Sequence, residues 1–278
     1  TYELACEVTL HRQAAPVSIE GVERRGLTPF VASGLDQGSW VAMVHRDGRM
    51  IRVPFVVHGL RAVTLELQWP PKLPPAFTYV AAGAFLYGGD PTADGGRPPR
   101  MAHLSAYAIA DHRVSVGEYD RFLQSLGPDE RRLRAAKLSF AERPQLGAPV
   151  TGVTLADAYA YVRWRVQQDG IPYRLPTSAQ WEKAARGVDG RLWPGGIDGT
   201  ADISPYGLRG FASQGLEWTV TAARELPGVC YVRGCGAGES LHLSPCTARL
   251  PWSPHRVSSD LGFRLVIPEE GLGDRSGR

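Results

Sequence analysis

Four cysteines, seven histidines and scattered carboxylates are the side chains with which this chain could do chemistry. Cys230, Cys235 and Cys246 lie near its C-terminal end, with Cys235 and Cys246 eleven positions apart. Two thiolates that converge in space bind a soft metal, but no local spacing here imposes convergence. A buried free thiol, or a disulfide between two of the three, accounts for them as well. Cys6, in an alternating apolar segment, reads as a core residue. The histidines form no H-x-x-x-H pair, and His242 and His255 suit a surface as well as a ligand role. No G-x-S-x-G elbow supports a Ser-His-Asp set. Gly88–Gly96, GGDPTADGG, has the glycines of a phosphate loop without its Lys-Ser/Thr, and reads as a turn. The expectation is a chain with no catalytic residue, no metal and no cofactor.

A different use is written into Gly238–Ser259, GESLHLSPCTARLPWSPHRVSS. Glu239, Ser240, His242, Ser244, Trp252, Ser253, His255, Arg256 and Ser258 set rigid aromatic and Arg anchors among small adaptable polar groups. That is the composition of a recognition surface. The expected partner is an unidentified protein or other macromolecule.

Three capped helices are legible around this segment. In IPYRLPTSAQWEKAARGVDGR, Ile171–Arg191, Pro176 ends an extended run. Thr177 caps a helix with Gln180 as reciprocal partner, and Gly187 ends it. Trp181, Ala184 and Ala185 share its apolar face. Ser115 with Glu118 starts a helix that buries Val116, Tyr119, Phe122 and Leu123. Thr154 with Asp157 starts another, which buries Leu155, Ala158, Tyr159 and Val162 and closes at Gly170.

The strings that carry these helices resemble the formylglycine-generating enzyme (sulfatase-modifying factor) family, whose domain is a variant of the C-type lectin fold. PAFTYVAAGAFLYGGDP (Pro75–Pro91), VSVGEYDRFL (Val114–Leu123) and PVTGVTLADAYAYVRW (Pro149–Trp164) are similar to its opening motifs. The Y-R-L-P-T-x-x-x-W-E-x-A-A-R-G string, SPYGLRGFASQGLEWT (Ser204–Thr219), YVRGCGAG (Tyr231–Gly238) and TARLPWSPHRVSSDLGFRLV (Thr247–Val266) follow in family order. The resemblance implies an α+β, C-type lectin-like domain over 76–267, with Arg174, Trp181, Glu217, Trp218, Arg249, Gly262, Phe263 and Arg264 as framework. EKAARGVDGR paired with SPYGLRG resembles the branch fused to bacterial protein kinases.

Catalytic members of the family bind copper with two cysteines four residues apart, and this chain lacks that pair. In the family's calcium loop, Gln214 stands where the pattern has Asn, one methylene longer than the geometry accepts. Glu217 is retained and is expected to anchor backbone amides instead. The loop from Trp193 to Ser204 is short, with Asp198 and Asp202 more suited to a structural turn than to calcium. The chain also lacks the helical domain in which related ergothioneine-type oxygenases place three histidines. Its recognition segment lies where the variable proteins of diversity-generating retroelements, on the same fold, carry their diversified residues. The function implied is non-catalytic ligand binding. The alternatives are a copper- and oxygen-dependent formylglycine-generating oxidase and a structural or sensor domain of a kinase-associated protein.

Residues 1–70 differ in pattern. Tyr2 to Leu10 alternates, Trp40–Val57 brackets an Asp47-Gly48 turn, and Ala62–Trp69 alternates again. A small β-sandwich of immunoglobulin-like or PEGA-like type is expected, then a stiff Pro-rich linker over 71–75 and a flexible tail over 268–278. The chain has no Asn, and only three lysines, at 72, 137 and 183, among 31 basic side chains. That bias suits a thermophile or a GC-rich bacterial genome. A net charge of +3 spread along the chain leaves no nucleic-acid footprint. No apolar run is long enough to span a membrane. The expectation is a soluble monomer, with the cytoplasm favoured, and the missing initial Met suggests a fragment.

Overall fold

The computed structural model describes residues 5–13, 24–138, 145–195, 202–224, 226–235 and 245–273. Strands β1 (Glu7–Arg12), β2 (Arg24–Leu27), β3 (Gly38–Arg46) and β4 (Arg49–Val57) form one antiparallel sheet in the order β2-β1-β3-β4. Asp47 and Gly48 join β3 to β4 with φ of 50° and 69°, the left-handed pair that a tight hairpin turn requires. The expected fifth strand over Ala62–Trp69 is absent. Pro54, opposite Val41 in β4, has no N–H to offer a further strand on the open edge.

Among the described residues the sheet has no second sheet to complete a sandwich. Its inner face, with Trp40, Val44 and Phe55, packs instead into one continuous core with Tyr79, Tyr119 and Phe263 of the following domain. An ionic link reinforces this junction. Ser39 Oγ donates to Asp189 at 2.7 Å, Asp189 holds Arg191 at 2.6 Å, and Arg191 Nη2 donates to Gln13 at 2.7 Å. The Pro-rich segment follows the same junction, where Arg49 Nη1 donates to the carbonyl of Pro70 at 3.1 Å.

In the second domain β5 (Phe77–Val80), β8 (Tyr107–Ala110) and β13 (Val266–Pro268) share a sheet, in the order β13-β8-β5, so the domain's two ends meet. β6 (Gly83–Tyr87) and β7 (Arg100–Leu104) form a hairpin. β9 (Leu216–Ala222), β10 (Cys230–Gly234), β11 (Leu250–Trp252) and β12 (Leu261–Gly262) form the sheet β11-β10-β9-β12. Four helices complete the fold: α1 (Val116–Gln124), α2 (Pro128–Ala135), α3 (Leu155–Asp169) and α4 (Ser178–Arg186).

The three capping boxes form as the spacing predicts, with both reciprocal hydrogen bonds at Ser115/Glu118, Thr154/Asp157 and Thr177/Gln180. Gly170 and Gly187 are the C-caps of α3 and α4, at φ of 64° and 74°. Helix α2 has Pro128 in its first turn and no side-chain cap. On α3 the expected face is rotated, because Tyr159 is 38% exposed while Tyr161 is 1% exposed. Tyr161 is the ring that meets Tyr119, Phe122, Trp164 and Phe263, with centroids 5.4–5.8 Å apart.

The tail begins later than the sequence suggests. Pro268 and Leu272 are buried, with a 3₁₀ turn over Glu269–Gly271 between them. Residues 274–278 lie outside the described residues.

Glu118 couples the α1 cap to acid stability. Burial pushes its carboxyl up, but hydrogen bonds from His112 and Ser115 outweigh that and pull it down to about 2. A carboxylate depressed from 4.5 contributes stability above that value and loses it as pH falls toward 2. The melting temperature should therefore drop between about pH 5 and 2, and less steeply for Glu118→Gln. Parallel curves for the two proteins would overturn this expectation.

Candidate functional site

Trp252 ends edge strand β11, with Cys230 of β10 as its neighbour in register. The chain then turns tightly, Arg256 N donating to Ser253 O at 3.0 Å. The indole Nε1 donates to Arg256 O at 3.1 Å, and the Arg256 guanidinium carbon lies 4.1 Å from the ring centroid. Both ends of the loop are tied down. Leu155 N, at the start of α3, donates to Pro254 O at 3.1 Å, and Gly152 N donates to Ser258 O at 3.0 Å.

Trp252 is half-buried, whereas Ser253, His255 and Arg256 are exposed. These four side chains of the expected surface are brought into one loop. Ser258 turns aside, its hydroxyl donating to Asp260. Glu239, Ser240, His242 and Ser244 lie outside the described residues.

The strand beneath carries a buried ionic layer that the sequence reading missed. Arg233 of β10 is fully buried and donates to Glu182 of α4 at 2.6 Å, to Cys246 O at 2.8 Å, and to Thr247 O and Ala248 O at 3.0 and 2.9 Å. It thereby fixes the segment that leads into β11. Glu182 also accepts from Arg186 Nη1 at 3.0 Å and from Gly88 N at 2.7 Å. The i, i+4 spacing of Glu182 and Arg186 was the available signal. Next to them Lys183 is 1% exposed and donates to Ala81 O and Gly83 O at 2.7 and 3.1 Å. Burial pulls its ammonium down to about 8.

The remaining framework residues hold the same layer. Trp181 stacks edge-on to Phe211 at 5.0 Å and lies under the Arg233 guanidinium at 5.2 Å. Trp218 Nε1 donates to Val153 O at 2.9 Å. Arg249 donates to Gly95 O at 2.8 Å and lies 4.6 Å from the Tyr231 centroid. Phe263 is fully buried. A Cβ on Gly262 would come within 2.3 Å of Arg113 Nη2 and of Val150 O, so that position excludes a side chain.

Two expected roles change. Arg174 contributes its backbone, bridging to Val266, while its guanidinium pairs with Glu270 in solvent, both side chains 59% exposed. Among the described residues Glu217 accepts no backbone amide. Both its oxygens take Arg264, at 2.6 Å each, because two opposite charges buried side by side satisfy each other first.

Asp202 performs the turn-clamping task instead. It accepts from Phe211 N, Ala212 N and Ser213 N at 3.1, 3.0 and 2.8 Å, and from Ser213 Oγ at 2.6 Å. Asp198 lies outside the described residues.

None of the four cysteines is joined in a disulfide, so the structure does not take that alternative. Cys235 and Cys246 are both 2% exposed, and burial pushes the Cys246 thiol well above its ordinary range. Metal ligation needs the thiolate. Among the described residues no group of three or more His, Cys, Asp or Glu gathers to hold an ion. These residues do not fit the copper pair of the catalytic family members.

Sheet, helices and buried framework together define a C-type lectin fold domain. Solved structures share it: PvdO from Pseudomonas aeruginosa has a TM-score of 0.56 and 19% identity, covering 69% of this chain and 94% of that one. Treponema denticola variable protein 1 has a TM-score of 0.54 and 20% identity, with the same coverage of 69% and 94%.

Within that fold the chain is similar to formylglycine-generating enzymes. Residues 67–202 match the sulfatase-modifying factor enzyme 1-like domain. The inactive Cα-formylglycine-generating enzyme 2 of Bos taurus is 29% identical, over 45% of this chain and 52% of its own length. The protein YfmG of Bacillus subtilis is 50% identical over 109 residues, 36% of this chain and 21% of YfmG. The chain thus spans less than two thirds of either relative. The formylglycine-generating enzyme of Bos taurus is 27% identical, over 83% of this chain and 82% of its own. Among the described residues no helix is long and apolar enough to cross a membrane.

Proposed function

We propose that this chain is a non-catalytic ligand-binding protein whose recognition surface is built by residues 238–259, in the manner of a retroelement variable protein. The observation that carries this reading is the Trp252–Arg256 stack. A half-buried indole that ends an edge strand and an exposed guanidinium in the loop after it are held in a set geometry, with the loop fixed at both ends. Binding energy concentrates on such anchors, and a loop already ordered loses little entropy when it binds. Support comes from the likeness in fold to Treponema denticola variable protein 1 and from the inactive relative. The ligand is a protein or other macromolecule, bound by a monomer that needs no metal or cofactor.

The genome tests the reading directly. A reverse-transcriptase gene beside this one, with a near-copy of the codons for 238–259 that differs at adenines, is the expected finding. An invariant locus would favour a structural or sensor role beside a kinase. Formation of aldehyde from a sulfatase-type cysteine peptide with Cu(I) and oxygen would overturn the non-catalytic reading.

The surface residues make a separate prediction. Trp252→Ala should cost some stability, because its ring is half-buried against the core. Combined replacement of His255 and Arg256 by Ala should leave the melting temperature nearly unchanged, since an exposed substitution costs about 0.5 kcal/mol or less. A drop of many degrees would show these side chains to be framework.

A further inference from the structure

The junction between the N-terminal sheet and the lectin-like domain encloses a cleft of about 460 Å³ that the recognition surface does not use. Its size falls in the range of small-molecule sites, roughly 300–1,000 Å³. Arg49 and Arg52 of β4 and Lys72 of the Pro-rich segment line it, and among the described residues no Asp or Glu does. Trp69, Phe77 and Tyr79 supply its apolar wall. Such a set, three cations against flat rings, favours a ligand with a charged head and an apolar body.

Arg52 is the most informative of the three. It is half-buried, and among the described residues its guanidinium makes no ion pair or hydrogen bond, although a Cβ on Gly207 would lie 3.1 Å from its Nη1. Burial pulls its guanidinium down, with no carboxylate to offset the cost. Arg49 stacks on Trp69 at 5.3 Å and gives one donor to Pro70 O, which leaves its other donors available. The indole Nε1 of Trp69 is buried without a partner. Glu269, which acts on Tyr79 through its charge, is exposed and lies outside the lining.

We propose that this cleft binds a small ligand through a phosphate group, held by Arg49 and Arg52, with a flat apolar body against Phe77 and Tyr79. A phosphate monoester is chosen over a monocarboxylate because it brings close to two negative charges to three cations. It also offers three oxygens to guanidinium forks, which bind such groups in bidentate fashion.

Calorimetric titration of the full chain with phenyl phosphate, inorganic phosphate and benzoate tests the proposal. Phenyl phosphate should bind saturably, inorganic phosphate more weakly, and benzoate roughly tenfold more weakly than phenyl phosphate. Arg52→Met should weaken phenyl phosphate about tenfold or more, and abolish the rise in melting temperature that the ligand causes in the parent protein. If Arg52→Met does not fold, Lys72→Ala, at an exposed position, should still weaken binding, and more so when combined with Arg49→Met. Replacement of Trp252 and Arg256 should leave the titration unchanged, which separates this site from the recognition surface. Absence of saturable binding, equal binding of benzoate, or binding indifferent to Arg49, Arg52 and Lys72 would overturn it.

Discussion

Glu182→Ala should cost about 3–5 kcal/mol, enough to leave a domain of ordinary stability barely folded. Glu182 is 1% exposed and stands between two guanidiniums that are equally buried, Arg186 and Arg233. Removing it leaves two cations uncompensated in the core and strands Gly88 N–H. Apolar replacement of a buried ion pair is often harmless, but here that route is closed. The arginines' other donors serve the carbonyls of Gly88, Gly190, Arg191, Cys246, Thr247 and Ala248, which apolar side chains would leave unpaired. Glu182→Gln keeps the acceptor and should lose less. Urea unfolding of the three proteins checks this, and a loss below about 1 kcal/mol for Glu182→Ala would refute it.

The same layer shows why some of the architecture could be read in advance and some could not. The capping boxes at Ser115, Thr154 and Thr177 depend on groups three residues apart, so spacing alone reveals them. Asp47-Gly48 is equally local, since the left-handed turn selects the residue pair. The ordered motifs led to the fold because framework residues such as Trp181, Gly262 and Phe263 each meet a demand of the packed layer.

Pairings across the chain left no such trace. Arg233 meets Glu182 over 51 positions, and Arg264 meets Glu217 over 47. A lone charge in a sequence resembles a solvated one until the partner is placed. The alternation of Ala62–Trp69 misled because a strand also needs an edge with donors, and Pro54 removes one. Tyr159 and Tyr161 differ by two positions on α3, so a modest rotation of the helix exchanges which ring is inside. In the segment proposed for recognition, composition singled out Trp252 and Arg256 but not that they stack on each other.

Glu217→Ala should also lose about 3–5 kcal/mol, and to the same extent in calcium and in chelator. Backbone amides alone would have suggested about 1–3 kcal/mol. The structure raises the expectation because both oxygens of Glu217 hold Arg264, and neither side chain is exposed. A calcium ion at Glu217 would have to displace that guanidinium, which lies 3.8 Å from the Phe211 centroid and makes only longer contacts elsewhere, 3.3 Å to Ala110 O and 3.4 Å to Gly210 O. Because the two charges satisfy each other, the Glu217→Ala/Arg264→Met double variant should be less impaired than the sum of the singles predicts. Denaturant unfolding of the four proteins in calcium and in chelator separates the possibilities. A loss in Glu217→Ala that appears only with calcium would make Glu217 a ligand. Strict additivity would mean that the pair does not act as a unit, and the coupling read from its geometry would be wrong.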